Sequence, residues 1–387
     1  MDRDARRNFM LGLVAVTAAY GCRKTAQRGE SASAAATSSE RRLSDARVGT
    51  ARGEIPKRKL GRTGVEVSAL GLGGFHIGQK LSPRESVTLI RRAIDLGVTF
   101  LDNCWDYNDG DSEVRMGNAL QEGYRSRAFL MTKIDGRTKG AATAQLEQSL
   151  RRLQTDRIDS VQIHEVIRDT DTDRCFGPNG TIEALVEARQ SGKLRFIGFT
   201  GHKDPAIHLK MLDVAKRHGF SFDTVQMPLN VMDAHFRSFR QRVLDALVEN
   251  GIGVLGMKSM GAGDIIKSGV VSPEECLRYA MSLPTSVVIC GMDSIDVLEQ
   301  NVNTAQHFRP YTADEMAALV ARTETAARDG KLEQFKTGEK FDGTGRNPHW
   351  LEEARISTAV SALARVAVGG IGGDEEQCHH SRCKRRC

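Results

Sequence analysis

The sequence predicts an α/β fold, a (β/α)8 (TIM) barrel with an N-terminal β-hairpin. Three observations carry that prediction. From Lys57 onward, eight short apolar runs alternate with longer stretches of 3.6-residue periodicity. The helical stretches open on a capping residue followed by proline, at Ser82-Pro83, Asp204-Pro205 and Ser272-Pro273. Gly97, Gly192, Gly219 and Gly251 stand where helices should stop.

In chain order, the predicted strands are Ala69–Gly73, Val98–Asp102, Ala128–Lys133, Ile158–His164, Leu194–Thr200, Phe222–Gln226, Gly253–Lys258 and Ser286–Cys290. The predicted helices are Pro83–Asp95, Ala141–Leu153, Ile182–Gln190, Pro205–Arg217, Ser238–Glu249, Pro273–Ser282 and Ile295–Gln306. Eight strand-plus-helix units favour a closed parallel barrel over an open doubly wound sheet, which would need a second domain to use the length. Lys59–Ser68 alternates around Gly61 and Gly64, so a short hairpin is expected over the barrel bottom.

The flanks read differently. Arg6-Arg7-Asn8-Phe9-Met10 opens a mostly apolar stretch that ends at Ala19-Tyr20-Gly21-Cys22, too short for an ordinary membrane span. Residues 1–22 are therefore expected to be a twin-arginine export signal, with Cys22 a candidate lipid attachment point at an imperfect lipobox. That implies a periplasmic or envelope location, with a membrane tether through Cys22. Residues 23–54 are rich in Ala, Ser, Thr and Arg and are expected to be a flexible linker. The barrel is assigned to 55–351 and a loose tail to 352–387, with Lys336–Leu351 expected to pack along the barrel.

Charge excludes one class of function. The net charge of +6 comes mostly from the ends, and residues 55–351 carry 39 Lys/Arg against 38 Asp/Glu. A nucleic-acid binder needs a concentrated basic face, and the body has no such excess. Cys104, Cys175, Cys276 and Cys290 are scattered through the body as expected of buried thiols. The tail's Cys378, His379, His380, Cys383 and Cys387 lack paired CxxC spacing, so no metal site is predicted.

Catalytic residues of such barrels lie at the C-terminal ends of the strands. Strand two ends at Asp102, strand three at Lys133 and strand four at His164, each 31 residues after the one before. Tyr107 follows five residues after Asp102. Singly, each is more often a solvated charge, a packed tyrosine or a core histidine; together they form a candidate site.

The chain resembles the aldo-keto reductase family over residues 57 to about 350. The resemblance rests on Leu60-Gly61-Arg62-Thr63-Gly64, Val67–Gly73, Phe100-Leu101-Asp102 with Tyr107, Ser112-Glu113, Met116–Leu120, Lys133, Asp159–His164, Gly192–Gly198 and Gln300-Asn301. It implies a catalytic tetrad of Asp102, Tyr107, Lys133 and His164, and a nicotinamide cofactor. The chemistry suits these types. Carbonyl reduction needs a hydride at carbon and a proton at the developing alkoxide. A nearby Lys133 would favour ionisation of the phenol, Asp102 would hold the lysine, and His164 would hydrogen-bond the carbonyl oxygen.

The resemblance also places a dinucleotide across the barrel mouth. The matching positions are Gly74, Asp102, Thr200, Gln226, Met257, Lys258, Met260, Gly261, Gly263, Ser294, Gln300 and Asn301. Gly261-Ala262-Gly263 would let backbone approach a pyrophosphate, and Lys258 would add a charge. Several positions depart from the family. Asp-Thr-Ala becomes Asp102-Asn103-Cys104, a Ser-Asn pair after strand five is replaced by Thr200-Gly201-His202, and an aromatic becomes Met257. The Lys and Arg that often clasp the 2′-phosphate of NADP fall on Gly291 and Val297, leaving Ser294 as the polar candidate. NADP(H) is the expected cofactor, with NAD(H) the alternative.

Phe75, His76, Trp105, Glu165 and His202 lie one or two residues past strand ends, or close to them, and are expected to line the substrate pocket. The predicted function is reduction of aldehydes or ketones, or oxidation of the corresponding alcohols, with Tyr107 as general acid/base. A non-catalytic cofactor-binding regulatory subunit is the second reading, and the intact tetrad argues against it. A barrel hydrolase would need paired carboxylates or metal ligands at strand ends.

Overall fold

The structure is a computed structural model that describes residues 53–352. The predicted export segment, the linker up to residue 52 and the tail from residue 353 lie outside the described residues. Within them, strands β1 (Lys57–Lys59) and β2 (Glu66–Ser68) pair as an antiparallel hairpin. Eight parallel strands then close into a barrel: β3 (Leu70–Gly73), β4 (Phe100–Asp102), β5 (Phe129–Ile134), β6 (Ile158–Ile163), β7 (Leu194–Thr200), β8 (Thr224–Pro228), β9 (Gly253–Met257) and β10 (Val287–Gly291). β10 pairs with both β9 and β3, so the barrel has no free edge.

The register accounts for the recurring 31-residue interval. Asp102 is level with Met131, and Lys133 with Gln162. Each functional residue therefore lies two positions beyond the hydrogen-bonded partner of the one before. Strand tilt in a closed barrel moves positions of equal height along the strands in this way. An even offset also keeps the side chains on the same face.

Helix signals translate directly into structure. Ser82 caps Pro83–Asp95 and Ser272 caps Pro273–Ser282, each in a reciprocal capping box with a glutamate three residues on. The continuous helix expected over Ser238–Glu249 is instead a π-helical turn, Arg240–Leu244, running into a short α-helix, Asp245–Glu249. Its first amides, Phe239 and Arg240, are taken by the Asp233 carboxylate. Helices Asp111–Ala119 and Ala313–Ala327 complete the pattern.

The hairpin seals the lower end of the barrel. Leu60 and Val67 join Phe100, Phe129, Met131, Leu255, Val287 and Ile289 in one buried cluster, with the Phe100 and Phe129 rings stacked at 5.1 Å. Gly61 has φ +53, and a Cβ there would come within 2.4 Å of the Gly253 nitrogen. Only glycine lets the turn sit this close to the start of β9.

At the other end, the segment from Gln334 to Leu351 crosses the mouth rather than merely packing along the barrel. The Arg137 amide donates to the Leu351 carbonyl, and Gln145 Nε2 donates to the Trp350 carbonyl.

Candidate active site

Lys133 is the hub of the mouth. Its ammonium donates to Asp102 Oδ1 at 2.5 Å, to the Asn103 carbonyl at 2.7 Å and to Tyr107 Oη at 3.2 Å. These three acceptors use all three of its protons, which fixes the ammonium although Lys133 and Asp102 are both buried. Asp102 Oδ2 accepts from Gln226 Nε2 at 3.3 Å. A continuous polar chain thus runs Tyr107–Lys133–Asp102–Gln226 across the interior face of β4, β5 and β8.

Tyr107 opens the 3-10 turn Tyr107–Gly110, in which Asn108 and Asp109 take left-handed backbone conformations. Asn108 Nδ2 ties this turn to the Phe75 carbonyl and to Ser112 Oγ. The phenol's pKa is raised, first by burial and then by the charges of Asp102, Cys104, Asp106 and Glu165. The hydroxyl is therefore held as a neutral acid beside Lys133, not as the phenolate expected from the lysine alone.

His164 follows β6 directly, and its ring centroid lies 5.9 Å from that of Tyr107. Its Nδ1 is 2.9 Å from Asp135 Oδ1, 3.6 Å from Asp106 Oδ1 and 3.3 Å from Cys104 Sγ. Burial alone would push its pKa down, but Asp106 and Asp135 outweigh it and hold the imidazole at about 9. No protein partner holds Nε2 among the described residues, and His164 lines the cavity.

That cavity has a volume of about 230 Å³. Asp102, Tyr107, Lys133 and His164 all line it, as do Gly74, Thr200, Gln226, Met257 and Lys258. Met260, Gly261, Gly263, Ser294, Gln300 and Asn301 do not. In the 258–264 loop it is Ala262, with φ +57 between the two glycines, that reaches the cavity. Ser294 caps its own helix by accepting from the Val297 amide. Gln300 is exposed, whereas Asn301 is buried.

One observation at the cavity wall fits a bound dinucleotide. Among the described residues Gln226 Oε1 is buried with no hydrogen-bond partner, as an acceptor for a carboxamide N–H would be; Asn301 Nδ2 is likewise a buried donor without a partner, but outside the cavity lining. Gly74 packs directly against β4: a Cβ there would strike the Asp102 carbonyl at 2.6 Å and the Asn103 side chain at 2.8 Å, so only glycine fits at this edge of the cavity. Lys258 lies under the crossing segment with its ammonium 4.3 Å from the centre of the Phe341 ring, and burial pushes its pKa down to about 8. At Gly291 a Cβ would lie 2.0 Å from His76 Nδ1, so the His76 ring occupies the space a longer side chain would need.

Phe75, His76, Glu165 and His202 line the cavity, whereas Trp105 does not. The Trp105 indole donates to Gln148 and packs edge-on against Trp350, so it supports the crossing segment instead of the pocket. Glu165 and His202 reach the cavity but are already engaged. Glu165 accepts from the Gly343 and Thr344 amides and the Thr344 hydroxyl, and His202 Nε2 is 3.1 Å from Asp342 Oδ1. Both act as clasps on the segment that roofs the mouth. Lys340, Phe341, Gly343 and Arg346 of that segment line the cavity.

Sequence reasoning missed these four, together with Asp106 and Ile289, and named Ala262 and Gly291 only as loop and departure positions without a contact of their own. Gly73, which also borders the cavity, ends a strand that was predicted but not given a role. The roof residues lie 140 to 179 positions from the clasps that hold them, and no local pattern announces such contacts.

A barrel whose mouth gathers a buried Lys–Asp pair, a tyrosine and a histidine around one cavity defines a class of oxidoreductase sites, and comparison with known proteins gives the family. The aldo/keto reductase family profile matches residues 69–269. The chain is 28% identical to L-galactose dehydrogenase of Arabidopsis thaliana over 308 residues, covering 68% of this chain and 92% of that protein. It is 26% identical to L-glyceraldehyde 3-phosphate reductase of Escherichia coli (strain K12) over 227 residues, covering 54% and 63%. In fold it is similar to the holo form of an aldo-keto reductase from Bacillus halodurans, with a TM-score of 0.59 and 23% identity over 70% of this chain and 96% of that one. The chain belongs to the aldo/keto reductase family, and its general activity is that of an oxidoreductase.

Proposed function

We propose that the protein reduces aldehydes or ketones, or oxidises the corresponding alcohols, with a nicotinamide dinucleotide and with Tyr107 as general acid/base. The observation that carries this reading is the Lys133 ammonium bridging Asp102 and the Tyr107 hydroxyl at one wall of the cavity. A bound nicotinamide supplies or accepts the hydride. Tyr107 gives its proton to the carbonyl oxygen as charge develops there, and the adjacent ammonium stabilises the phenolate left behind. His164 Nε2 faces the same space and orients the oxygen. In this reading Gly74, Gln226, Thr200 and Met257 hold the nicotinamide end and Lys258 holds the phosphates, while the buried donor of Asn301 serves the far end of the dinucleotide.

NADP(H) is the proposed nucleotide from the family resemblance. Gly291 and Val297 offer no cation to a 2′-phosphate, which supports NAD(H) as a working alternative. The substrate is a small carbonyl compound or alcohol that fits between Phe75, His76 and the roof. Titrating the purified protein with NADPH and with NADH, and following nicotinamide fluorescence, tests the first step and ranks the two. Consumption of either nucleotide by an aldehyde or sugar tests the second. A flat fluorescence response to both nucleotides would sink the proposal.

Export through residues 1–22, with a lipid on Cys22, belongs to the same reading. Fractionation of cells expressing the full chain should place it in the envelope, and replacement of Arg6 and Arg7 by lysine should retain it inside. Equal distribution of the two forms would remove the export signal.

A further inference from the structure

Beside the tetrad lies a second cluster that shares His164 with it, through the ring nitrogen the proposed reaction does not use. It joins Cys104 after β4, Asp106 two residues on, Asp135 just past β5, and Nδ1 of His164 just past β6. One ligand-type atom from each residue lies within 4.8 Å of every other. Cys104 and Asp135 are fully buried.

The cluster is poorly satisfied as it stands. Asp106 Oδ1, the atom 3.6 Å from Nδ1, is enclosed and has no hydrogen-bond partner among the described residues. Asp135 Oδ2 is enclosed and unpartnered as well, on a side chain with no exposure. A buried carboxylate, a half-buried one and a thiol that also reaches the Lys133 carbonyl therefore share one imidazole. Orphaned buried oxygens are costly and usually mark a missing partner.

We propose that Cys104, Asp106, Asp135 and His164 Nδ1 form a binding site for one divalent transition-metal ion of the zinc type. The donor set of one sulfur, one nitrogen and two oxygens suits such an ion. Two of the three spacings from Nδ1 suit it too. Tetrahedral zinc with these donors separates neighbouring ligand atoms by about 3.3–3.6 Å. Cys104 at 3.3 Å and Asp106 at 3.6 Å from Nδ1 fall in this range, and Asp135, in hydrogen-bond contact with Nδ1 at 2.9 Å, would move out slightly as the ion replaces that contact. Entry of the ion displaces the thiol proton and any proton on Nδ1. Coordination at Nδ1 leaves the remaining imidazole proton on Nε2, facing the cavity, so the ion fixes both the tautomer and the aim of His164. The resemblance to the family implies alanine at the position of Cys104, so the thiol of this site is not part of that pattern.

The test uses full-length protein with serine at Cys22, Cys378, Cys383 and Cys387, so that thiols outside residues 53–352 contribute nothing. The protein is stripped with chelator, reduced, and titrated with cobalt(II) alone. The expected result is one cobalt per chain, with the strong visible bands of tetrahedral cobalt and a thiolate-to-cobalt charge-transfer band. Cys104→Ser should abolish the charge-transfer band, and Asp135→Asn should weaken affinity by at least 10-fold with the fold intact by circular dichroism. The proposal is overturned by cobalt that washes out on desalting, by a weak octahedral spectrum, or by a thiolate band that survives Cys104→Ser. Metal uptake is read without substrate or nucleotide, so its failure is distinct from failure of the proposed reaction.

Discussion

The two ends of the barrel are built from the same strands and obey different rules. Phe100 starts β4 in the apolar cluster beneath the hairpin, and Asp102 ends it in an ion pair with Lys133. Phe129 and Lys133 divide β5 in the same way. Two to four residues separate an interior held by dispersion and hydrophobic burial from one held by directed hydrogen bonds. The lower end can fail only by losing packing, whereas the upper end can lose chemistry while the fold stands.

Substitutions at each end sharpen that contrast. The largest effect is expected at Tyr107. Tyr107→Phe should lower turnover by about 10²–10⁴-fold, the usual weight of a general acid/base, while nucleotide binding and the melting temperature stay close to wild type. An unchanged rate would remove Tyr107 from the chemistry. Next is Phe100→Ala, which should destabilise the fold by roughly 3–5 kcal/mol through the cavity it leaves, with turnover per folded molecule preserved. Denaturant melts that match wild type would show that the lower cluster is not the stabilising end.

The smallest effect concerns pH. Lys258 is cationic below about 8 and neutral above, so its pull on a pyrophosphate is complete at neutral pH and fades as pH rises through that value. Nucleotide affinity should fall by something on the order of tenfold above this range, a charge-assisted hydrogen bond being worth about 1.5–3 kcal/mol. Lys258→Arg should keep affinity level over the same range. A wild-type profile as flat as the variant's would separate Lys258 from the phosphates.

What the sequence revealed follows the same division. The strands, most helix boundaries and the four residues around Lys133 were legible because each depends on local signals, such as apolar runs, caps, or a polar residue at a strand end. The interval of 31 was legible too, although its cause, a two-residue stagger imposed by strand tilt, emerged only from the register. The roof was not. Glu165 and His202 read as pocket residues because they follow strand ends, yet their acceptors and donors point at residues 342–344. Asp106 and Asp135, 29 positions apart, carry no local signal of their own, and only the fold sets both beside one imidazole. Trp105 was misassigned for the same reason, since its partner Trp350 lies far along the chain.

The placement of the last strand bears on how the molecule can be trimmed. The stretch shared with the family profile stops at residue 269, short of β10 at Val287–Gly291. A fragment cut there would leave β3 and β9 with bare backbone edges, open to pairing with neighbouring chains. It would also lose Lys340 and Phe341 from the wall of the cavity. The shortest piece able to keep both architecture and pocket extends to Leu351, whose carbonyl receives the Arg137 amide.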